Sequence, residues 1–426
     1  MPETENSCAS LLDKLADAGC WEIFYEYKTS LSCPKQFTKE LRGFIDRQAY
    51  LPVYERIAAG VPFPLPSRAV VSKMSSQKKR VVYTYPADEN TVLKLLTWLL
   101  LRRYDGIFSD NLYSFRPGRT AKDAVRRLTH TPGVREMYTY KADVSNYFNS
   151  VPVERLTAML QGILADDPAL LRFLTGLLEE PLVLENGVPV TEQKGIMAGT
   201  PTSAFFANVY LSSLDRRFSD AGIPYARYSD DIIVLAPCAE ETKAHADTVR
   251  AVLSELGLTL NPDKEEWGTP ETGWVFLGFQ YRQGVVDIAP ASLTKLKQKM
   301  RRKTRALKRW QQRNALDGAK AAAAFIRIFN RKLFESAGDN ELTWARWFFP
   351  VLNTDVSLKE IDRYAEDCIR YLASGTRTKA RYNVRYRDIK EMGFRSLVHE
   401  YYKSKKEECA PGNECARGDA CACGGQ

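Results

Sequence analysis

No stretch of this sequence reaches the ~18 to 20 apolar residues of a membrane span. The nearest, LLTWLLLRRY at 95–104, is short and ends in Arg-Arg, which suits a core helix. The amino-terminal MPETENSCASLLDK is polar and acidic and holds no secretory apolar core. The expected compartment is therefore the cytoplasm, without membrane contact. Metal-ligand cysteine spacing is missing too. Of nine cysteines, Cys8, Cys20, Cys33, Cys238 and Cys368 are scattered and read as reduced thiols. Cys409, Cys415, Cys421 and Cys423 crowd a Gly- and Ala-rich end without C-x-x-C spacing or a neighbouring His. A flexible tail over 406–426 is expected there rather than a zinc or redox site. There are no internal repeats.

At 44% hydrophobic and 11% aromatic, the sequence excludes wholesale disorder, and 426 residues suffice for two or three domains. The net charge of +9 favours a polyanionic partner, nucleic acid before an anionic membrane. Helical sequence fills about 1–60 and breaks at VPFPLPSR (61–68). A basic loop then leads into a strand at VVYTY, and a helix follows over 89–104. NLYSFRPGRTAKDAVRRL (111–128) is a Gly/Pro-containing basic turn that opens a helix. MYTYKADVSNYFNSV (137–151) is a strand running into an aromatic turn, and 153–194 reads as a largely helical insertion. After Pro290 strands disappear. KLKQKMRRKTRALKRWQQR (295–313) contains no acidic residue and opens a basic helical domain to about 405.

YARYSDDIIVLA (225–236) places Asp230 and Asp231 between two apolar runs. IIVLA is β-branched and continuous, as in a buried strand, and ARY can pair with it through a tight turn. Adjacent carboxylates in such a turn repel each other and resist desolvation. Either a cation neutralises them, or Ser-Asp-Asp is simply good turn chemistry. Asp143, at the end of the strand MYTYKA, weighs on that choice. If strands 138–143 and 232–236 lie side by side, Asp143 faces the pair. Three carboxylates so placed suit two Mg²⁺, a hard-oxygen-seeking ion used in phosphoryl transfer.

YSDD (228–231) resembles the tyrosine–any–aspartate–aspartate motif of reverse transcriptases, and other blocks of that family stand around it in order. KKRVVYTYPAD and YSFRPGRT resemble the two fingers blocks, KADVSNYFNSV the palm block with the first catalytic Asp. GIMAGTPTSAFFANVYL resembles the block holding template and nucleotide, and LNPDK and FLGF the last palm blocks. The resemblance covers about 70–285. It implies an α+β right-hand polymerase: amino-terminal helices and fingers over 1–140, a palm with an antiparallel sheet over 141–290, and a helical thumb and extension over 291–405. It implies RNA-directed DNA synthesis from dNTPs, with two Mg²⁺, Mn²⁺ being a possible substitute.

Residue by residue, Asp143 and Asp230 resemble ligands of both metals and Asp231 a secondary one, with the Val144 carbonyl as a backbone ligand. Phe148 stands where a bulky ring excludes a ribose 2′-hydroxyl, or is a core Phe. Lys79, Arg80 and Arg116 match fingers cations that grip a triphosphate, or are surface charge. Gly199, Pro201 and Thr202 shape the nucleotide loop. Lys264 matches a lysine that protonates the leaving pyrophosphate, or is a surface Lys. Tyr228 and Gly278 fall near primer and template. Asn208 faces the active site or caps a buried polar network.

One departure stands out. Where many family members carry a glutamine that positions nucleotide and template, this sequence has Ala198. No second acidic constellation for a ribonuclease H and no endonuclease zinc motif is present. The compact plan resembles stand-alone bacterial reverse transcriptases, many serving antiphage defence on a dedicated, structured non-coding RNA. Some relatives synthesise without a template or prime from a protein hydroxyl. Oligomerisation stays open. So do a mobile group II intron or retron-type enzyme and an RNA-binding role with no synthesis.

Overall fold

The computed structural model describes residues 10–30, 35–72, 79–335 and 343–408. Cys8, Cys33 and the four tail cysteines lie outside these segments, as does the flexible tail expected from Cys409 on. The chain is mixed α+β and forms two compact units. The first runs to Leu277 and includes Tyr281–Gly284. The second holds Gly278–Gln280 and the described residues from Val285 on.

In the first unit, helices α1 (Ala18–Ser30), α2 (Lys35–Asp46) and α3 (Leu51–Ala58) meet around Trp21. Its ring stacks on Tyr50 at 5.0 Å and reaches Phe44 at 5.4 Å. Prolines 62, 64 and 66 end the helical run, and two strands follow, β1 (Ser67–Ser72) and β2 (Lys79–Thr84), paired antiparallel. β1 is absent from the sequence reading, because a short, exposed strand behind prolines carries no burial pattern. Helix α4 (Ala87–Arg103) is the expected core helix. Asp88 and Glu89 in its first turn and Arg102 and Arg103 in its last complement the helix dipole. Its Val92, Leu93, Leu95, Leu96 and Leu100 are fully buried. Helix α5 (Ala121–Thr129) opens on a capping box between Thr120 and Asp123.

Strand β3 (Tyr138–Asp143) leads through the single turn α6 (Tyr147–Ser150) to α7 (Val153–Ile163) and α8 (Pro168–Glu179). The insertion expected as helical to 194 instead ends in a hairpin, β4 (Leu182–Glu185) and β5 (Val188–Thr191). Its loop is Asn186-Gly187, both at positive φ (52° and 85°), as a two-residue hairpin turn requires. These strands extend the β1–β2 pair into a sheet of order β2-β1-β4-β5.

Helices α9 (Ser203–Tyr210) and α10 (Ser212–Asp220) precede strands β6 (Tyr225–Tyr228) and β7 (Asp231–Ala236). Helix α11 (Ala239–Glu255) and strand β8 (Glu266–Gly268) follow. The second sheet has order β6-β7-β3-β8 and is antiparallel throughout. β7 is buried from Ile232 to Ala236, as its continuous apolar run predicts. The segments expected as separate pieces at 1–140 and 141–290 share one core running from Leu11 to Leu258.

Three short strands come next, β9 (Trp274–Phe276), β10 (Phe279–Arg282) and β11 (Val285–Ile288). The second unit is then helical: α12 (Pro290–Arg313), α13 (Gly318–Phe334), α14 (Trp344–Phe348), α15 (Val356–Ser374), α16 (Tyr386–Glu391) and α17 (Leu397–Glu408). Leu296, Met300, Thr304 and Leu307 form the buried stripe of α12 and leave its basic residues outside. A Cβ on Gly318 would collide with the Ala373 carbonyl, so α13 meets the end of α15 at backbone distance. Asp362 of α15 starts α17 by accepting from Ser396 Oγ (2.6 Å) and the Leu397 amide (2.9 Å).

Candidate active site

Tyr228 pairs with Asp231, leaving Ser229 and Asp230 as a two-residue hairpin loop. Ser229 adopts φ +60°, a conformation glycine takes more readily. Two anchors hold it. Its amide donates to Ser114 Oγ at 2.9 Å, and Ser114 is locked to Asn208 by bonds of 3.2 and 2.9 Å. Its carbonyl accepts from Arg227 Nη1 at 3.0 Å. Arg227 is 0% exposed and pairs bidentately with Asp215, at 2.7 and 2.6 Å. Tyr225 donates its hydroxyl to the same carboxylate at 2.9 Å. Asn208 therefore belongs to a buried polar network, the second of its two readings. Ser114, Arg227 and Asp215 were not singled out from the sequence. Arg227 carried the only usable signal, a charge inside an otherwise apolar strand.

Asp143 ends β3 directly opposite Asp231 in the β3–β7 register. The Val144 amide donates to the Asp230 carbonyl at 3.2 Å, tying the two strand ends together. Beyond them the Asn261 amide donates to the Asp143 carbonyl (2.9 Å) and the Ser145 amide to the Thr259 carbonyl (2.8 Å). This zipper delivers Lys264, on the one-turn helix Pro262–Lys264, to Asp143: Nζ lies 2.5 Å from Oδ1.

Burial, then the Asp143 charge, raises the pKa of Asp230. Burial, then Asp230, pushes Asp231 up to about 6. Among the described residues no three acidic, His or Cys side chains converge into a finished metal cage. The donor set still suits a hard divalent cation: three carboxylates on adjoining strand ends, two of them raised by burial and mutual repulsion. Metal-free protein is expected to show that repulsion. The folded pKa of Asp231, about 6, exceeds its ordinary 3.8, so the folded state holds the extra proton between these values. Stability from this group is present below about pH 4 and is lost as pH rises through about 6. In chelator at pH 7.5, Asp231→Asn should melt higher than the parent by ~1–3 kcal/mol, and the gain should vanish near pH 4. An equal shift at both pH values would contradict this account.

The nucleotide loop is built against Phe148 and β2. Gly195 packs so closely that a Cβ would lie 2.5 Å from the Phe148 carbonyl, which accepts from the Ile196 amide at 2.8 Å. Gly199, at φ +106°, would bring a Cβ to 3.0 Å from the Tyr83 carbonyl, a tight approach in a conformation side chains rarely adopt. The Tyr83 amide donates to the Ala198 carbonyl at 2.8 Å, and the Ala198 amide to Asn149 Oδ1 at 3.2 Å. Phe148 itself is half-buried, edge-on to Tyr147 with centroids 5.6 Å apart. Lys79 and Arg80 are exposed on β2. Thr202 is wholly buried ahead of α9. Pro201 and Tyr228 line a cleft of about 410 Å³ with Arg102, Phe115 and Arg116.

Arg116 departs from its expected place. Arg116 is not presented to a triphosphate. Its guanidinium is buried, bidentate to Asp105 (2.7 and 2.9 Å), and donates to the Ser109 carbonyl at 2.6 Å, so it braces the 105–116 loop. Gly278, at φ +88°, is met by protein, with Ser292 Oγ 3.3 Å and the Phe348 ring 3.8 Å from where a Cβ would stand. Lys194, immediately before the loop, was missed by the sequence reading. It is 3% exposed, its amine lacks a hydrogen-bond partner, and burial lowers its pKa to about 8.

Residues 71–281 match the family model described as reverse transcriptase (RNA-dependent DNA polymerase). The chain is 28% identical over 205 residues to the "Uncharacterized 91 kDa protein in cob intron" of Schizosaccharomyces pombe (strain 972 / ATCC 24843), covering 44% of this chain. It spans only 24% of that relative's length. Among solved structures, apo telomerase from Candida tropicalis aligns with TM-score 0.46 at 11% identity, over 82% of this chain and 63% of that one. Telomerase from Candida albicans, in complex with a TWJ fragment of telomeric RNA, gives 0.42 at 11% identity, over 85% and 70%.

Proposed function

Since the chain belongs to the reverse transcriptase family, we propose that it extends a 3′ end with dNTPs through Asp143, Asp230 and Asp231, on a structured non-coding RNA template. The observation that carries this is the β3–β7 register, which sets Asp143 against Asp231 with Asp230 in the adjoining loop. Reverse transcriptases use divalent metal ions, and we assign two Mg²⁺ to these carboxylates and the Val144 carbonyl. When bound, such ions stabilise attacking and leaving oxygens in phosphoryl transfer. To Lys264, the counter-charge of Asp143, we assign the proton given to departing pyrophosphate. Lys79 and Arg80 reach the triphosphate from β2, the strand that the Ala198 carbonyl holds beside the loop. Arg116 acts by bracing its loop. Tyr228 lies at the primer end, and the helical unit from α12 on is the thumb.

The test is incorporation of labelled dNTPs with Mg²⁺ by the protein and its co-purified nucleic acid, followed by sequencing of both. A DNA product complementary to one bound RNA supports the template assignment. Ala198 favours a second outcome. Its backbone does the structural work while its side chain offers no amide to the nucleotide. A repetitive or unmatched product would show untemplated synthesis. A role in antiphage defence rests on likeness to compact bacterial enzymes; deletion of the gene should then raise phage plating efficiency.

Phe148 is the proposed ribose gate. Phe148→Ala should improve ribonucleotide use relative to dNTPs by about tenfold to a hundredfold, since a steric clash costs on the order of 1–3 kcal/mol. Unchanged discrimination in a steady-state comparison would remove the gate assignment.

A further inference from the structure

The second unit contains a concave, cation-lined site that the polymerase reading leaves unused. A cavity of about 360 Å³ opens between α12, α15 and the one-turn helix Lys379–Asn383. Tyr364 and Tyr371, two turns apart on α15, share its wall with Cys368 and Thr304. Arg301, Arg377 and Arg381 rim it, and Asp367 is the single acid, 3.6 Å from Arg381. The positive charges of Arg301, Arg377 and Arg305 all act on the Tyr364 hydroxyl. Arg377 lies over the Tyr371 ring at 4.7 Å.

Tyr371 also lines a neighbouring open groove with Arg302, Arg305, Lys308 and Arg309 and no acidic residue. Among the described residues, Arg301, Arg302, Arg305 and Arg309 form no ion pair with a carboxylate. A cavity of nucleoside size walled by two tyrosines, beside a track of cations without carboxylate partners, has a specific complement. A backbone of phosphates lies along the track, and one base leaves the stack to enter the cavity. A duplex cannot deliver that base, because its bases are already stacked and paired.

We propose that this cleft captures one unpaired nucleotide of a single-stranded segment, with the base against Tyr364 and Tyr371 and the flanking phosphates on Arg301, Arg305, Lys308 and Arg309. The proposal rests on the chain acting on nucleic acid, and it makes the second unit a single-strand anchor as well as a duplex support. Asp367 is the acceptor available to a base amino group or a ribose hydroxyl.

The experiment uses the full chain and labelled oligonucleotides roughly a dozen nucleotides long, single-stranded RNA, single-stranded DNA and duplex, in fluorescence anisotropy. Tyr371→Ala should weaken single-strand binding by about tenfold to a hundredfold, the loss expected from removing one stacked base, and leave duplex binding within about twofold. Arg305→Gln should weaken all three and lower the salt slope by about one. The RNA and DNA arms decide which strand is held. In parallel, RNA carrying a photoreactive uridine, irradiated on the unmutated protein, should crosslink within 364–381. Crosslinks confined to other segments, or equal losses for single strand and duplex in Tyr371→Ala, overturn the proposal. Extension of a pre-annealed primer, measured on the same preparations, separates the two readings. Extension without selective single-strand loss refutes the anchor alone, and selective loss without any extension refutes the polymerase alone.

Discussion

Asp143→Asn and Asp230→Asn are each expected to lose dNTP incorporation by on the order of 10³-fold or more, while folding and binding nucleic acid as the parent does. Electrostatic stabilisation of a phosphoryl transition state by metal-held charge is worth several kcal/mol, and each 1.36 kcal/mol is about tenfold in rate. Asp230→Asn should not cost stability, whereas Asp143→Asn gives up only the half-exposed pair with Lys264. Asp230 shares its site with two other carboxylates, and its pKa is already raised by burial and by Asp143. Removing one charge relieves repulsion, so the melting temperature in chelator should hold or rise. Single-turnover extension on an annealed primer, with melting curves on the same samples, reads both quantities. Extension surviving in Asp143→Asn would sink the assignment. Extension and stability lost together would mean that the carboxylates hold the fold.

Arg227→Met is expected to have the largest effect on the fold itself. It leaves Asp215 wholly buried without its partner, and breaking such a pair costs about 3–5 kcal/mol. In a domain of this size that is a fall of roughly 10 °C in melting temperature. The Ser229 carbonyl loses its donor in the same step. The variant should therefore lose extension beyond what its folded fraction explains. Arg227→Lys should rescue poorly, because an ammonium cannot reproduce the fork that meets both Asp215 oxygens. The double change Asp215→Leu with Arg227→Met should recover much of the stability, since burial of matched apolar groups removes the orphaned charge. It should not recover activity, because the Ser229 carbonyl still has no donor. A single Arg227→Met variant melting with the parent would show that the pair is not the turn's foundation.

Much of the site was legible because its chemistry is local. Continuous β-branched residues mark β7, a strand-final Asp marks β3, and Gly199 marks the loop that packs beside β2. The α4 core helix could be read from its apolar run. Other features depend on partners distant in sequence. Arg116 reads as a phosphate ligand until Asp105 and the Ser109 carbonyl are seen to bind it. Ser114 is one serine among many until its oxygen meets the Ser229 amide. Lys194 carries no sign in the sequence that its amine is buried. The β4–β5 hairpin is a different case, because Asn186-Gly187 between short β-prone runs is a turn signal that was present and outweighed by neighbouring helical periodicity. Strand β1 had no such signal.

The anchoring of the Ser229 turn also bears on how the protein is made. Ser114 meets Ser229 across 115 positions, and Asp143 meets Lys264 across 121. Contacts of such separation close late in folding, because the intervening loop must lose its freedom before they repay it. On the ribosome the carboxylate turn cannot settle until β7 has emerged, and Asp143 gains its counter-charge only when Lys264 follows, long after the amino-terminal helices can pack. A nascent chain thus completes its carboxylate cluster only late, after most of the first unit has been made.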